Sequence, residues 1–582
     1  MRSRLSSLVL LTILTALAAA KGSADVSVNA AWESWKENNT TEAEAHFLKA
    51  LEKDPAHLRA NIGLAYLYQN DQNYDKAWSY YRNVLKHEDG PAYIFAGWNS
   101  GRMALVQNDS TSGLINVFKE MSDKADKNDM LTAMAHQSVG DYYRNRGDLA
   151  KSDAYYARTK MIRDWQVIGP FENVSASGFN KTFPPEKDFN PKKKYSGKSG
   201  APANWFTITK TRPDGWIDFR RYFSVQNAVF YGNTFIQSPR KQKVHLRIGT
   251  SGSLKAFLND EEVIAYEDEN NNDLDTYIVE TELQKGWNRL LIKVGFSEIS
   301  QCNFMVRITD TNERDLNLPV SSAKKSYKKR PGAPTKTIEN FAETFFQNKI
   351  KENPDHLENY LLLADTYLRN DKAIEGELVL RDALEKAPDC ALFYLQLLEA
   401  YRRGEKDDDV ATALEKATAL DPDGVVSLVY KYEQALENSQ IDQAEKLLGK
   451  LEEKLAGTPS IYQMRIGFYS NKREIEKLIA TSKEAYEKFP NNWQFVSLEA
   501  NISIQTTSSY AGAIELYKAY MENNYNATVL SNLASTYLKG SDVESWELYY
   551  RKILELDETA RGSYYHMASQ HFTCVIIGRI EE

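Results

Sequence analysis

The strongest nucleophiles in the sequence are three cysteines, Cys302, Cys390 and Cys574. They are too few for a disulfide framework and too scattered for a structural zinc site. Cys302 opens a predicted strand and Cys390 follows the break at Pro388, so both read as buried structural thiols rather than activated ones. Metal-assisted hydrolysis would need a pattern such as His-Glu-x-x-His, and phosphate binding a Gly-x-x-x-x-Gly-Lys-Ser/Thr loop; the sequence has neither. The run Gly249-Thr250-Ser251-Gly252-Ser253 lacks the last glycine of a nucleophile elbow. An acidic run from Glu267 to Asp275 offers oxygen ligands for calcium. It departs from the EF-hand template where Asp273 stands for glycine and Val279 for glutamate, and reads as a solvated loop between strands. These patterns predict no enzyme, no cofactor and no metal. What remains is binding chemistry. Trp205, Trp216 and Trp287, with Tyr231 and Phe257, are dense enough to offer ring faces to a sugar, although core packing is the commoner use of such rings.

The elements that must position these groups follow two periods. Pro354, Pro388 and Pro422 are 34 residues apart, and the same step links Ala364 to Leu398, Tyr367 to Tyr401, Leu380 to Leu414 and Ala383 to Ala417. A second series repeats Ala43, Phe47 and Ala50 as Ala77, Tyr81 and Val84, and a third repeats Leu530, Leu533, Ala534 and Tyr537 as Tyr564, Met567, Ala568 and His571. Within one unit Leu357, Tyr360, Leu363, Ala364 and Tyr367 share a helix face, Asn370-Asp371 offers a turn, and a second amphipathic helix runs to Pro388. A single hairpin cannot bury its own apolar face, so neighbours must stack into a solenoid. These residues resemble tetratricopeptide repeats, over residues 24–163 and 337–572. The resemblance implies a groove lined by the first helix of each repeat, with Glu358, Leu361 and Asp365 on the side that would face a protein or peptide partner. Ile62 and Tyr66 in one unit, and Leu361 and Asp365 in another, stand where the family's carboxylate clamp has lysine and asparagine, which argues against capture of a chain terminus.

Between the arrays the period falls to two. Val244, Leu246 and Ile248 alternate with Lys243, His245 and Arg247, and similar runs cover Leu290 to Val294 and Phe304 to Ile308. Turn signals at Asn259-Asp260 and Gly286 separate them. An antiparallel β-sandwich over 164–318 follows, then a basic linker over 319–336 that includes Lys324-Lys325-Ser326-Tyr327-Lys328-Lys329-Arg330. The run Leu254 to Asp260, followed by Gly286 to Val294, resembles galactose-binding-like jelly-roll modules. The fold class predicted is therefore two α-helical tetratricopeptide solenoids flanking an antiparallel β-sandwich.

Arg2 and Arg4 precede an apolar run from Leu8 to Leu17 and then Ala18-Ala19-Ala20, the parts of a signal peptide spanning 1–20 and cut after Ala20. The run is shorter than the ~20 residues of a spanning helix, so an exported, periplasmic or extracellular protein is expected. With 72 Lys+Arg against 80 Asp+Glu and a net charge of −8, the composition gives no basic face for nucleic acid. The order of parts, with Trp165 to Phe171 and Phe183-Pro184-Pro185-Glu186, resembles the non-catalytic front half of exported bacterial repeat proteins that continue into a transglutaminase-like domain. After Phe572 the residues Thr573 to Glu582 are β-branched and apolar where a second repeat helix is due, which predicts an irregular tail and a chain truncated or frame-shifted there. The function expected is a protein–protein interaction scaffold. The alternatives are glycan binding by the sandwich, or the non-catalytic part of a transglutaminase-like enzyme.

Overall fold

The computed structural model describes residues 22–556, apart from 88–89, 99–112, 298, 330–333 and 526, together with 567 and 569. The cleavage site after Ala20, the register of Tyr564 and His571, and the segment from Thr573 lie outside the described residues. Two compact units are each built from separated stretches of chain: Met1–Leu114 with Asn340–Glu487, and Ile115–Glu339 with Lys488–Glu582.

The first unit is helical. Helices 22–36, Thr40–Lys53, Leu58–Asn70, Tyr74–Val84 and Gly90–Trp98 come from the N-terminal stretch. Phe341–Glu352, Glu358–Arg369, Ala373–Lys386, Ala391–Arg403, Asp407–Leu420, Val425–Glu437 and Ile441–Lys454 come from the second. Asn39 and Asn73 cap two of the starts by accepting from the backbone N–H of Glu42 and Lys76. A left-handed residue sits in each hairpin turn: Asn38 and Gln72, then Asp371, Glu405, Ser439 and Arg473, each 34 residues after the last within its series. The repeat is thus written in the backbone even where the side chain varies. Close helix packing needs small residues. A Cβ on Gly63 would lie 2.3 Å from the Phe47 ring, and one on Gly140, in the other unit, 2.5 Å from the Tyr156 ring.

The second unit joins helices to a sheet. The hairpin Met130–Arg144 and Leu149–Arg158 precedes the strands, and helices Trp493–Thr507, Ala511–Asn523, Ala527–Lys539 and Val543–Leu556 return after them. Tyrosines twelve residues apart in sequence stack across hairpins, Tyr143 on Tyr155 and Tyr537 on Tyr549, with ring centroids 5.7 and 5.4 Å apart.

The strands are β1 (Gln166–Glu172), β2 (Tyr195–Ser196), β3 (Pro202–Ala203), β4 (Phe206–Thr207), β5 (Ile217–Asp218), β6 (Ala228–Ser238) and β7 (Gln242–Leu258). They continue with β8 (Glu261–Asn271), β9 (Tyr277–Leu283), β10 (Gly286–Phe296), β11 (Asn303–Thr309), β12 (Val320–Ser321) and β13 (Lys336–Ile338). All but β2 and β3 join one 11-stranded antiparallel sheet among the described residues. The 17-residue β7 pairs its first half with β9 and β11 and its second half with β8 and β10. Strands β6 and β10 are buried on both faces. Phe230, Ile236, Leu290, Ile292 and Val294 enter one core, and Val229, Tyr231, Phe235 and Leu291 enter a second, closed by Phe171, Phe183, Phe189 and Trp205.

Two sequence expectations change here. Residues 319–336 are not a free linker, because β12 pairs with β6 and β13 with β9. Between them Tyr327 donates to Asp260, 2.9 Å away, and Lys325 lies 4.9 Å from the centre of the Trp287 ring. The acidic run is not a solvated loop either. Strand β8 extends to Asn271, and Asp275 is fully buried between two arginines.

Candidate functional site

The groove expected along Glu358, Leu361 and Asp365 is filled by the chain itself. Glu358 is 1% exposed and Leu361 1%, while Asp365 is half-buried. Helix Leu58–Asn70 lies along helix Glu358–Arg369 in the same direction, since Arg59 meets Glu358 and Tyr66 meets Asp365, both at a separation of 299 residues. Arg59 pairs through Nε with the Glu358 carboxylate, and its Nη1 donates to Asn29 Oδ1 at 2.8 Å. The Tyr66 hydroxyl donates to Asp365 Oδ2 at 2.5 Å. Ile62, between these polar contacts, is 1% exposed. Below them Tyr93 meets Phe346 edge-on at 5.4 Å, and Phe95 meets Phe341 at 5.7 Å. Cys390 is buried here with Sγ 3.6 Å from the Trp35 carbonyl, and burial pushes its thiol up to about 12. The residues that sequence reasoning assigned to a partner therefore face the first repeats, and they are not open groove.

One part of this junction stays open. A cleft of about 390 Å³ lies between the Thr40–Lys53 and Leu58–Asn70 helices on one side and the Ala391–Arg403 and Val425–Glu437 helices on the other. Trp35 and Leu395 give it apolar wall, and Glu44, Asp71, Asp421 and Asp423 bring carboxylates against the one lysine of the lining, Lys454. Burial raises the Asp71 carboxyl to about 6; Lys454 opposes this, and Glu44 and Asp421 add to it. Asp421 is raised for the same first reason, with Lys454 again opposing. Glu44 accepts from the Tyr68 hydroxyl, and Asp423 pairs with Lys450 at 2.9 Å. The balance of charge favours an incoming cation over an anion.

The aromatic candidates of the sheet are mostly enclosed. Trp205 is 6% and Trp216 7% exposed. Trp205 meets Phe189 edge-on at 5.0 Å, and Trp216 lies against the Cα side of Gly249, where an added Cβ would come within 2.8 Å of the indole. Trp287 is half-buried beneath Lys325. None of the three presents an open ring face, so they do not form the sugar platform that their density suggested.

What sequence reasoning missed is charge inside the sheet. Arg289 and Lys293, on the β10 face that carries Leu291, are 1% and 2% exposed. Arg289 donates to Asn233 Oδ1, Asp260 Oδ1 and the Pro185 carbonyl at 2.7, 2.8 and 2.7 Å. Lys293 donates to the Phe179 and Lys181 carbonyls and to Glu186 at 2.8, 2.8 and 3.0 Å. Together they fasten the segment between β1 and β4 over the sheet face, which closes the surface a ligand would otherwise reach. Arg247 and Arg307 share Asp275, and Arg307 Nη2 also donates to the Asn128 and Asp129 carbonyls at 2.7 and 2.9 Å. Burial alone would raise the Asp275 carboxyl, but the two guanidiniums pull it below the ordinary carboxylate range. This cluster locks the start of helix Met130–Arg144 to the sheet. Among the described residues no group of three or more His, Cys, Asp or Glu is placed to hold a metal ion, and no helix is long and apolar enough to cross a membrane.

Residues 527–559, which contain the Ala527–Lys539 and Val543–Leu556 hairpin, match the family model of the tetratricopeptide repeat. That hairpin is similar to a tetratricopeptide repeat. Helical hairpins recur in both helical stretches, and the 34-residue turn step is kept from Asn38 to Gln72 and from Asp371 to Arg473. Similar solved structures include a tetratricopeptide repeat protein from Parabacteroides merdae, 12% identical, covering 40% of this chain and 91% of that one with a TM-score of 0.31. Another is PilF of Pseudomonas aeruginosa, 16% identical, covering 37% of this chain and 97% of that one with a TM-score of 0.28. Yeast Tom70 is 10% identical and covers 96% of this chain and 82% of its own, with a TM-score of 0.33. No curated protein matches the chain.

Proposed function

We propose that this protein is an exported scaffold for protein–protein contacts, in which the tetratricopeptide repeats recruit a partner and the β-rich region serves as a rigid spacer. Export rests on the Arg2 and Arg4 start, the apolar run and Ala18-Ala19-Ala20. The observation that carries the scaffold reading is the cleft beside the self-filled groove. It lies between first helices of three repeats and the second helix Thr40–Lys53, has apolar and polar wall, and keeps more carboxylate than cation. A partner entering there brings a lysine or arginine, whose charge offsets the buried carboxylates, while its aliphatic stem lies along Trp35 and Leu395.

The test is quantitative affinity capture from the exporting cell, with the intact chain and an Asp71→Asn/Asp423→Lys variant as paired baits. Proteins recovered through this cleft should fall by about tenfold with the variant, the effect of ~1.4 kcal/mol. Equal recovery of the same set by both baits would show that the cleft recruits nothing.

A further inference from the structure

The net charge of −8 hides a local excess of the opposite sign. Residues 187–194 hold four lysines and one aspartate, and residues 319–329 hold four lysines and no acid. The fold brings these two stretches side by side. Phe189 meets Phe235 with 5.6 Å between ring centres, and Tyr327 meets the same ring at 5.9 Å. Lys324 Nζ lies 3.9 Å from Asp188 Oδ1. Behind both stretches Arg289 donates to the Pro185 carbonyl and to Asp260, and Tyr327 donates to that same Asp260. The backbone under the lysines is therefore fastened to the sheet, while their charged ends stand outside it.

These charges are not cancelled locally. Lys187, Lys192, Lys194 and Lys328 are exposed, and none of their ammonium groups has a hydrogen-bond or ion-pair partner among the described residues. Lys193 and Lys325 lie over ring faces, 5.3 Å from the centre of Tyr195 and 4.9 Å from that of Trp287, contacts that leave the positive charge in place. The nearby acids Asp260 and Glu186 are taken up by the buried Arg289 and Lys293. The chemistry of the face narrows what it can take. All eight cations are lysines, compact ammoniums on flexible stems rather than the planar guanidiniums that grip one phosphate or one base edge. The rings beneath them are closed to a sugar or a base, since Phe189, Tyr195 and Trp205 are buried and Trp287 lies under Lys325. Neither stretch exposes a large apolar side chain that could enter hydrocarbon. What remains is attraction by charge alone to a surface that presents many anions and demands no register, the chemistry of lipid headgroups.

We propose that the lysine face formed by residues 187–194 and 324–329 docks the β-rich region on an anionic lipid surface, peripherally and without insertion. It is independent of the acidic cleft and of the partner proposed for it.

The test sediments the intact chain at low salt with vesicles of phosphatidylcholine alone and with vesicles containing about one-quarter phosphatidylglycerol. The apolar run Leu8–Leu17 can enter either bilayer, so binding is read as the excess on the anionic vesicles. The expected result is an excess that disappears in about 1 M sodium chloride, where screening acts within ~3 Å. Lys187→Gln/Lys192→Gln/Lys194→Gln/Lys328→Gln should weaken it by at least about tenfold, with an unchanged melting curve because none of the four has a partner to lose. Should that curve shift, Lys328→Gln alone decides, with an expected loss of about fivefold. Lys351→Gln/Lys416→Gln/Lys446→Gln/Lys483→Gln makes the same change of net charge at exposed positions of the other unit and should bind as the parent does. No excess on the anionic vesicles, an excess that survives the salt, no loss in the first variant, or an equal loss in both fourfold variants overturns the proposal. Tighter binding to soluble polygalacturonate, compared per negative charge, overturns it too, by assigning the face to an acidic polysaccharide.

Discussion

Replacing Glu358 with Gln tests whether the N-terminal repeats close the groove of the second array. The Glu358 side chain is 2% exposed and that of Arg59 16%. Removing one member of a fully buried ion pair costs ~3–5 kcal/mol, because the other is left desolvated. Arg59 is not fully buried and keeps its bond to Asn29, so part of its hydration is recovered. The expected loss is therefore about 2–3 kcal/mol for Glu358→Gln, and similar for Arg59→Met. In the double variant neither charge remains stranded, and the loss should be smaller than the sum by ~1.5–2 kcal/mol. The chain divides into two compact units, so the cycle is read as the local opening free energy of helix Glu358–Arg369 from native-state hydrogen exchange, which needs no single global transition. Strictly additive losses would mean that the two residues do not meet, and the cis-filled groove would be wrong.

Asp275 and Asp71 should respond to acid in opposite directions. Asp275 has a depressed carboxyl, so it stabilises fully above the unfolded value of ~3.9 and the contribution is lost as pH falls through its folded value. Melting of the β-rich unit, followed by near-ultraviolet dichroism, should weaken below about pH 4, and Asp275→Asn should reduce that dependence, leaving the part due to Glu313, at a cost of ~3 kcal/mol at neutral pH. Asp71, raised to about 6, binds its proton more tightly folded than unfolded, so the helical unit should gain stability as pH falls from about 6 towards 4. Asp71→Asn should abolish that gain and stabilise by ~1–3 kcal/mol at pH 7; an unchanged profile would show that its carboxyl is not perturbed. Gly140→Ala places a methyl against Tyr156 and should cost ~1–3 kcal/mol by chemical denaturation; Tyr156→Leu also strips Asp141 of its hydroxyl partner, so if contact is the cause the double variant loses less than the sum of the two single changes.

The 34-residue step was legible because Pro354, Pro388 and Pro422 mark helix ends and the apolar positions between them are fixed by packing. The left-handed turn residues were not, since Asn38, Gln72, Asp371, Glu405, Ser439 and Arg473 share a backbone angle but no side-chain type. Asn370-Asp371 alone carried a turn signal. In the sheet, alternation placed Val244, Leu246 and Ile248 in the core, where they are. The same alternation put Arg247 on a solvated face, yet it is 1% exposed, because a second layer carrying Asp275 and Glu313 covers that side. Glu358 misled for a related reason. A glutamate at a helix start reads as surface, and its partner Arg59 lies 299 residues away, a distance that no local pattern spans. Trp205 and Trp216 were recognisable as aromatic anchors, but only the fold shows which faces are covered.

Burial of Glu358 by the first repeats is what closes the groove. Carbodiimide-mediated labelling of carboxylates in the native chain, read residue by residue by mass spectrometry, measures it directly. Glu358 should stay unlabelled while the exposed Glu375 on the next helix reacts, and Arg59→Glu should bring Glu358 up towards the rate of Glu375. Labelling of Glu358 at the rate of Glu375 in the unmodified chain would contradict the self-filled groove.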